Sequence, residues 1–262
     1  MSQEFPEITA EHDFRTATLR ATREVIERVT EGEWKPVLDA LQSHPFPKHI
    51  NFEEILLQTI SDNFPVIFDG VMDYVFSHCS FAQYKKCLRY AAVEACRYNF
   101  LHGLECEREW ITTTLEADLK FRNYLLDISA QKGSAACFKF VMPLNAPLGK
   151  TQWIDLVGYC IASENAATLD FLLNEAPEAV TYREKLGVLP YLIGRTEQSK
   201  DFQEVLFDHF ALTDFIDYVA FFNQHATITQ LYEEHHAKRA HEAAQRIEEH
   251  LTLPTTSRER KL

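Results

Sequence analysis

Apolar positions recur along this chain at spacings of three and four, with small residues and short polar breaks between the runs. That period predicts amphipathic helices rather than strands. The clearest stretch is Leu126 to Met142, LDISAQKGSAACFKFVM. Leu126, Ile128 and the small Ser129 and Ala130 give a first helix one face that can approach a neighbour closely. Gly133 then closes it, because glycine tolerates the positive φ of a helix end without a Cβ clash. In a second helix, Cys137, Phe138, Val141 and Met142 gather on one stripe. Helices under about 12 to 15 residues are marginal alone in water, so each of these needs neighbours.

The same alternation extends in both directions. A helix over residues 10 to 30 places Phe14, Ala17, Ala21, Val25 and Val29 on one side and suits a capping role. Glu31-Gly32-Glu33 punctuates, and Pro36 then suits the first turn of a helix through Val37, Leu38 and Leu41. The run His44-Pro45-Phe46-Pro47 ends that element, since each proline disfavours helix in the residue before it. From about Thr213, Phe215, Ile216, Val219 and Phe222 predict one apolar helix. A long amphipathic helix with Ile228, Leu231, Tyr232, His235, Ala240, Ala243, Ile247 and Leu251 follows. On its polar side Glu234 with Lys238 and Glu242 with Arg246 stand at helical i, i+4 spacing. The expected organisation is an N-terminal cap over 1–35, a helix-pair array over 36–212, a C-terminal helical cap over 213–251 and a polar tail over 252–262.

The segment around Gly133 resembles an ankyrin repeat, with Leu126, Ile128, Ser129, Ala130, Gly133 and the triplet Phe140-Val141-Met142 at the family's helix-pair positions. A weaker echo is YCIASENAATLDFLLNE, where Cys160, Ile161 and Ala162 stand for the small residues, Glu164 or Asn165 for the turn glycine, and Phe171-Leu172-Leu173 for the triplet. Longer echoes begin at Leu88 and Leu56, and a last one ends at Val205-Leu206-Phe207. Val141 to Leu172 is 31 residues and Leu172 to Leu206 is 34, bracketing the ankyrin period of about 33. No Thr-Pro-Leu-His motif occurs, and eight glycines are few for that family. The β-hairpin fingers are therefore expected to be shortened, replaced by loops or missing. The expected fold is all-α, stacked helix pairs in an ankyrin-like solenoid with terminal caps; tetratricopeptide-like, other α-solenoid and irregular helical folds are the alternatives.

Composition narrows the function classes. With 262 residues, 46% of them apolar and 12% aromatic, the chain can bury a substantial core. No apolar run approaches the roughly 18 residues of a membrane span, and the acidic start MSQEFPEITAEHDF lacks the apolar stretch of a secretory signal. The six cysteines, Cys79, Cys87, Cys96, Cys106, Cys137 and Cys160, form no Cys-x-x-Cys pair and read as reduced core residues in a cytoplasmic setting. His235, His236, His241 and His250 crowd the last helix at successive spacings of one, five and nine, which do not place two imidazoles on one face as a zinc site needs. There is no phosphate-binding glycine loop, no Gly-x-Ser-x-Gly elbow and no His-Glu-x-x-His. Glu53 with Glu54, and Glu105 with Glu107, are too close in sequence to face each other as an acid/base pair.

A net charge of −13 disfavours nucleic acid and anionic membranes and favours a protein partner with a basic surface. No catalytic residue, cofactor or metal is expected. The reading is a non-catalytic interaction scaffold; the alternatives are a secreted microbial effector acting on a host protein, with EEHHAKRAHEAAQRIEEH as a signal-like segment, or an acidic decoy of a nucleic-acid-binding protein. The ankyrin resemblance implies docking on the face lined by the first helices. The positions this assigns are Asp127, Gln131 and Lys132 on the best repeat and Tyr159 and Ser163 on the next, with Gly133 as the structural turn.

Overall fold

Gly133 is the key to the architecture, because four other residues share its backbone conformation. In the computed structural model, which describes residues 6–44, 50–142, 148–176, 180–196, 199–214 and 225–252, positive φ falls at Gly32, Asn63, Asn99, Gly133 and Glu164. They are 31, 36, 34 and 31 residues apart. The last four sit in the same hydrogen-bonded turn. The amide after each returns to a carbonyl five residues back: Phe64 to Thr59 and Phe100 to Ala95 at 2.9 Å, Ser134 to Ser129 at 2.9 Å, and Asn165 to Cys160 at 2.8 Å. This is the bond with which a left-handed residue closes a helix. All four accepting residues are small and buried.

Among the described residues the chain is all-helical, with fifteen helices and no strand. They are α1 (Pro6–Val29), α2 (Trp34–Ser43), α3 (Phe52–Ser61), α4 (Pro65–His78), α5 (Phe81–Tyr98), α6 (His102–Glu105), α7 (Arg108–Ala117) and α8 (Leu119–Lys132). Then come α9 (Ala135–Val141), α10 (Lys150–Ala162), α11 (Ala166–Asn174), α12 (Tyr182–Leu186), α13 (Leu189–Thr196), α14 (Lys200–His209) and α15 (His225–Thr252). None is long and apolar enough to cross a membrane. The chain divides into two compact units, Met1–Leu172 and Leu173–Leu262, a boundary inside the segment read as one array.

In the first unit each helix that precedes a left-handed turn packs on the next of its kind, α1 on α3, α3 on α5, α5 on α8 and α8 on α10. α2 packs back on α1, α4 on α3, α6 on α5 and α9 on α8, and α2 also meets α4 and α4 meets α6. The core is what the periodicity predicts: Val25, Val29, Leu41, Ile55, Leu56, Phe68, Leu88, Leu126, Phe138 and Trp153 are almost fully buried. Two approaches are especially close. Trp34 lies over Gly70 of α4, where an added Cβ would sit 2.5 Å from Cε2 of the indole. Cys137 Sγ lies 3.4 Å from the Ala95 carbonyl where α9 meets α5.

Several expectations change in detail. Phe14 and Ala17 are exposed, so only the second half of α1 uses its apolar stripe. His44 is extended after α2, as a residue before proline should be, while Pro45, Phe46 and Pro47 lie outside the described residues. The predicted helix with Phe215, Ile216, Val219 and Phe222, and the tail from Pro254, also lie outside them. Of the cysteines, Cys87, Cys96, Cys137 and Cys160 are buried as expected, whereas Cys79 is partly exposed and Cys106 is exposed. The reason for Cys106 is local: α6 lasts one turn, and Cys106 follows it where the chain swings into α7.

In the second unit α13 packs on α14, and α14 on α15. Phe202, Val205, Leu206 and Phe207 of α14 are buried, and the Tyr232 ring meets Phe207 edge-on at 5.5 Å. On the polar side of α15 the i, i+4 contacts include Gln230 with Glu234 and Lys238 with Glu242, so Lys238 pairs onward along the helix.

Candidate functional site

The positions assigned from the sequence lie on or at the ends of α8 and α10, two helices that pack on one another. Helix α8 starts cleanly, since the Asp118 carboxylate accepts from the Phe121 amide at 3.0 Å and pairs with Arg89 at 3.0 Å. Both contacts hold that carboxyl below its ordinary range. Arg122, one turn in, is buried and donates from Nη2 to the Met142 carbonyl at 2.7 Å, and burial lowers its guanidinium pKa. On α10, Trp153 is wholly buried and donates from Nε1 to the Leu172 carbonyl at 2.9 Å. Both helices are therefore held by their inner faces.

The outer faces carry the candidates. Asp127 is half-buried, and burial followed by the charge of Asp155 on α10 raises its carboxyl above the ordinary range. Asp155 itself is exposed on α10. Gln131 and Lys132 are exposed at the end of α8, and Gly133 closes it at φ +77° with no atom within 4 Å of an added Cβ. Tyr159 is half-buried. Ser163 differs from the reading as a surface group, since its hydroxyl lies 2.7 Å from the Ala130 carbonyl and ties the end of α10 to α8. Two exposed apolar side chains missed from the sequence stand on the same helices, Tyr124 three residues before Asp127 and Ile154 next to Asp155, each 49% exposed.

The histidines of α15 are mostly spent locally. His235 Nε2 meets the Asp208 carboxylate at 2.8 Å, and the Arg239 guanidinium donates to the other oxygen of the same carboxylate. His236 packs on Tyr232, and His241 meets the Gln245 amide at 2.9 Å.

One group among the described residues could hold a metal ion. Asp69 of α4, His102 of α6 and Cys106 each offer a ligand atom, all within 4.8 Å of one another. Residues 102 and 106 stand at the i, i+4 spacing sought in the last helix, a signal present in the sequence; Asp69 is supplied by the packing of α4 on α6.

No protein-family model, curated protein or solved structure matches this chain.

Proposed function

We propose that the chain is a non-catalytic protein-interaction scaffold, a divergent ankyrin-like α-solenoid that docks a basic partner segment on the outer face of α8 and α10. Support for the solenoid reading comes from the turns. One hydrogen-bonded closure recurs at ankyrin-like intervals, and the helix before each closure packs on the next. No strand is present among the described residues, and α4 is joined to α5 by Cys79 and Ser80 alone.

The observation that carries the docking reading is the half-buried Asp127 carboxyl, raised first by burial and then by the charge of the exposed Asp155 on the adjoining helix, with exposed Tyr124 and Ile154 on the same two helices. Ionising a carboxyl so placed costs stability in the free protein. A lysine or arginine from a partner would relieve that cost, while the exposed tyrosine and isoleucine supply apolar contact. The net charge of −13 would speed the approach of a basic segment.

The test is affinity capture with the tagged full chain at low and moderate salt, with bound proteins identified by mass spectrometry and their segments re-tested as synthetic peptides. The expected result is a basic segment that binds one-to-one, weakens with salt, and is lost with Asp127→Lys. A partner held equally by Asp127→Lys and Asp155→Lys would remove this face from consideration.

A further inference from the structure

We propose that Asp69, His102 and Cys106 form a binding site for one divalent transition-metal ion of the zinc type, separate from the α8–α10 face. A carboxylate oxygen, an imidazole nitrogen and a sulfur converge from two packed elements. That donor set suits zinc, which takes Asp, His and Cys ligands in four-coordinate sites. Three protein ligands leave the fourth position to water.

Little movement is needed to admit the ion. His102 Nε2 and Asp69 Oδ1 are hydrogen-bonded at 2.7 Å. Ligand atoms around tetrahedral zinc stand about 3.3 to 3.8 Å apart, given metal–ligand bonds of about 2.0 to 2.3 Å. The imidazole and carboxylate must therefore part by under about 1 Å, and the sulfur must close by a similar amount from within 4.8 Å. The side-chain bond that now joins His102 to Asp69 is the one the ion would replace.

The histidine is also held in place. Its ring meets Phe68 edge-on at 6.2 Å and Phe100 at 5.7 Å, and those two rings meet at 5.4 Å. Phe68 and Phe100 are buried. The next residue, Gly103, is fitted so tightly that an added Cβ would stand 3.0 Å from Phe100 and 3.2 Å from Ala95. The backbone beside His102 is thereby pinned to α5, which fixes the imidazole before any ion arrives.

The surrounding charge favours a cation. Beyond Asp69, the Glu107 carboxylate lies near the sulfur and accepts from Tyr84 Oη at 2.8 Å, and Asp73 stands near that hydroxyl. The adjacent Arg108 is paired with Glu105 at 3.3 Å. Carboxylates beside Cys106 are the opposite of the electropositive setting that activates a nucleophilic cysteine. A dication would supply the missing positive charge and take the sulfur as thiolate, with its proton released to solvent.

The experiment is calorimetric titration of reduced, metal-free full-length protein with Zn²⁺, together with absorption spectra on adding Co²⁺. The expected result is one ion per chain with a micromolar or tighter Kd and a thiolate-to-cobalt charge-transfer band. Cys106→Ser should abolish the band, and Cys106→Ser and Asp69→Asn should each weaken Zn²⁺ at least about tenfold. Both residues are at least partly exposed, and a far-UV spectrum like that of the unaltered protein confirms folding. The combined variant His236→Gln, His241→Gln should bind as the unaltered chain does. Absence of saturable one-to-one binding, or binding lost with that histidine variant and kept in Cys106→Ser, would overturn the proposal.

Discussion

Replacing Gly133 by alanine isolates the conformational cost of a left-handed turn. The residue sits at φ +77°, ψ 18°, and no atom lies within 4 Å of an added Cβ. The substitution therefore meets no steric neighbour, and only backbone preference changes. Holding an L-residue in this region costs about 1 to 2 kcal/mol. Alanine also removes freedom from the unfolded chain, which returns about 0.4 to 1 kcal/mol. At the middle of these ranges the net loss is about 0.8 kcal/mol, and Gly133→Val should lose more because a β-branched side chain is worse at positive φ.

Glu164 occupies the equivalent turn at φ +57°. Its side chain makes contacts of its own, so the informative comparison is Glu164→Gly with Glu164→Ala, which remove those contacts equally. Glycine should be the more stable by the same margin as at position 133. All three tryptophans, Trp34, Trp110 and Trp153, lie in the first compact unit with both turns. Urea unfolding followed by tryptophan fluorescence therefore reports the relevant unit. Alanine as stable as glycine at both positions would refute the shared-turn account.

Two further predictions follow from named contacts. Asp127→Asn should raise Tm at neutral pH: the folded carboxyl titrates above its unfolded value, so its ionised form is penalised above the raised pKa. The advantage should shrink as pH falls and vanish below about pH 3.9, where the unfolded acid is protonated too; an equal gain at pH 3 and pH 7 would remove the electrostatic cause. Gly70→Ala should destabilise, since overpacking against Trp34 at 2.5 Å costs about 1 to 3 kcal/mol against a helix-propensity gain of about 1 kcal/mol. The same change in a Trp34→Ala background should stabilise, and a fall of equal size there would show that the indole is not the obstacle.

The helices and most of the core were legible because burial on one face imposes a period that the letters display. The turns were legible only where chemistry advertised them. Gly133 announces positive φ, but Asn63, Asn99 and Glu164 reach it as well. In those turns the conformation is imposed by the returning amide bond to a small buried residue, and the identity of the turning residue is secondary. The ankyrin resemblance pointed to Asp127 and Gln131, which lie on α8, half-buried and exposed respectively. Asp155, Tyr124 and Ile154 were missed because their meaning depends on which helices adjoin. Ser163 looked like a surface hydroxyl until the Ala130 carbonyl was placed beside it. Cys106 was misread as core because a one-turn helix leaves too little periodicity to say which way a cysteine faces.

The succession of α1, α3, α5, α8 and α10 bears on how the first unit comes apart. Each of these helices finds its most extensive neighbours one step away along the chain, so cohesion is shared between adjacent pairs instead of being pooled at one centre. A pair at either end has one such neighbour and an internal pair has two. Amide hydrogens of α5 and α8 should accordingly exchange with solvent last, and those of α1 and α10 earlier. Partial opening then proceeds inward from the edges, and α10, which carries half of the acidic face, lies at one of those edges.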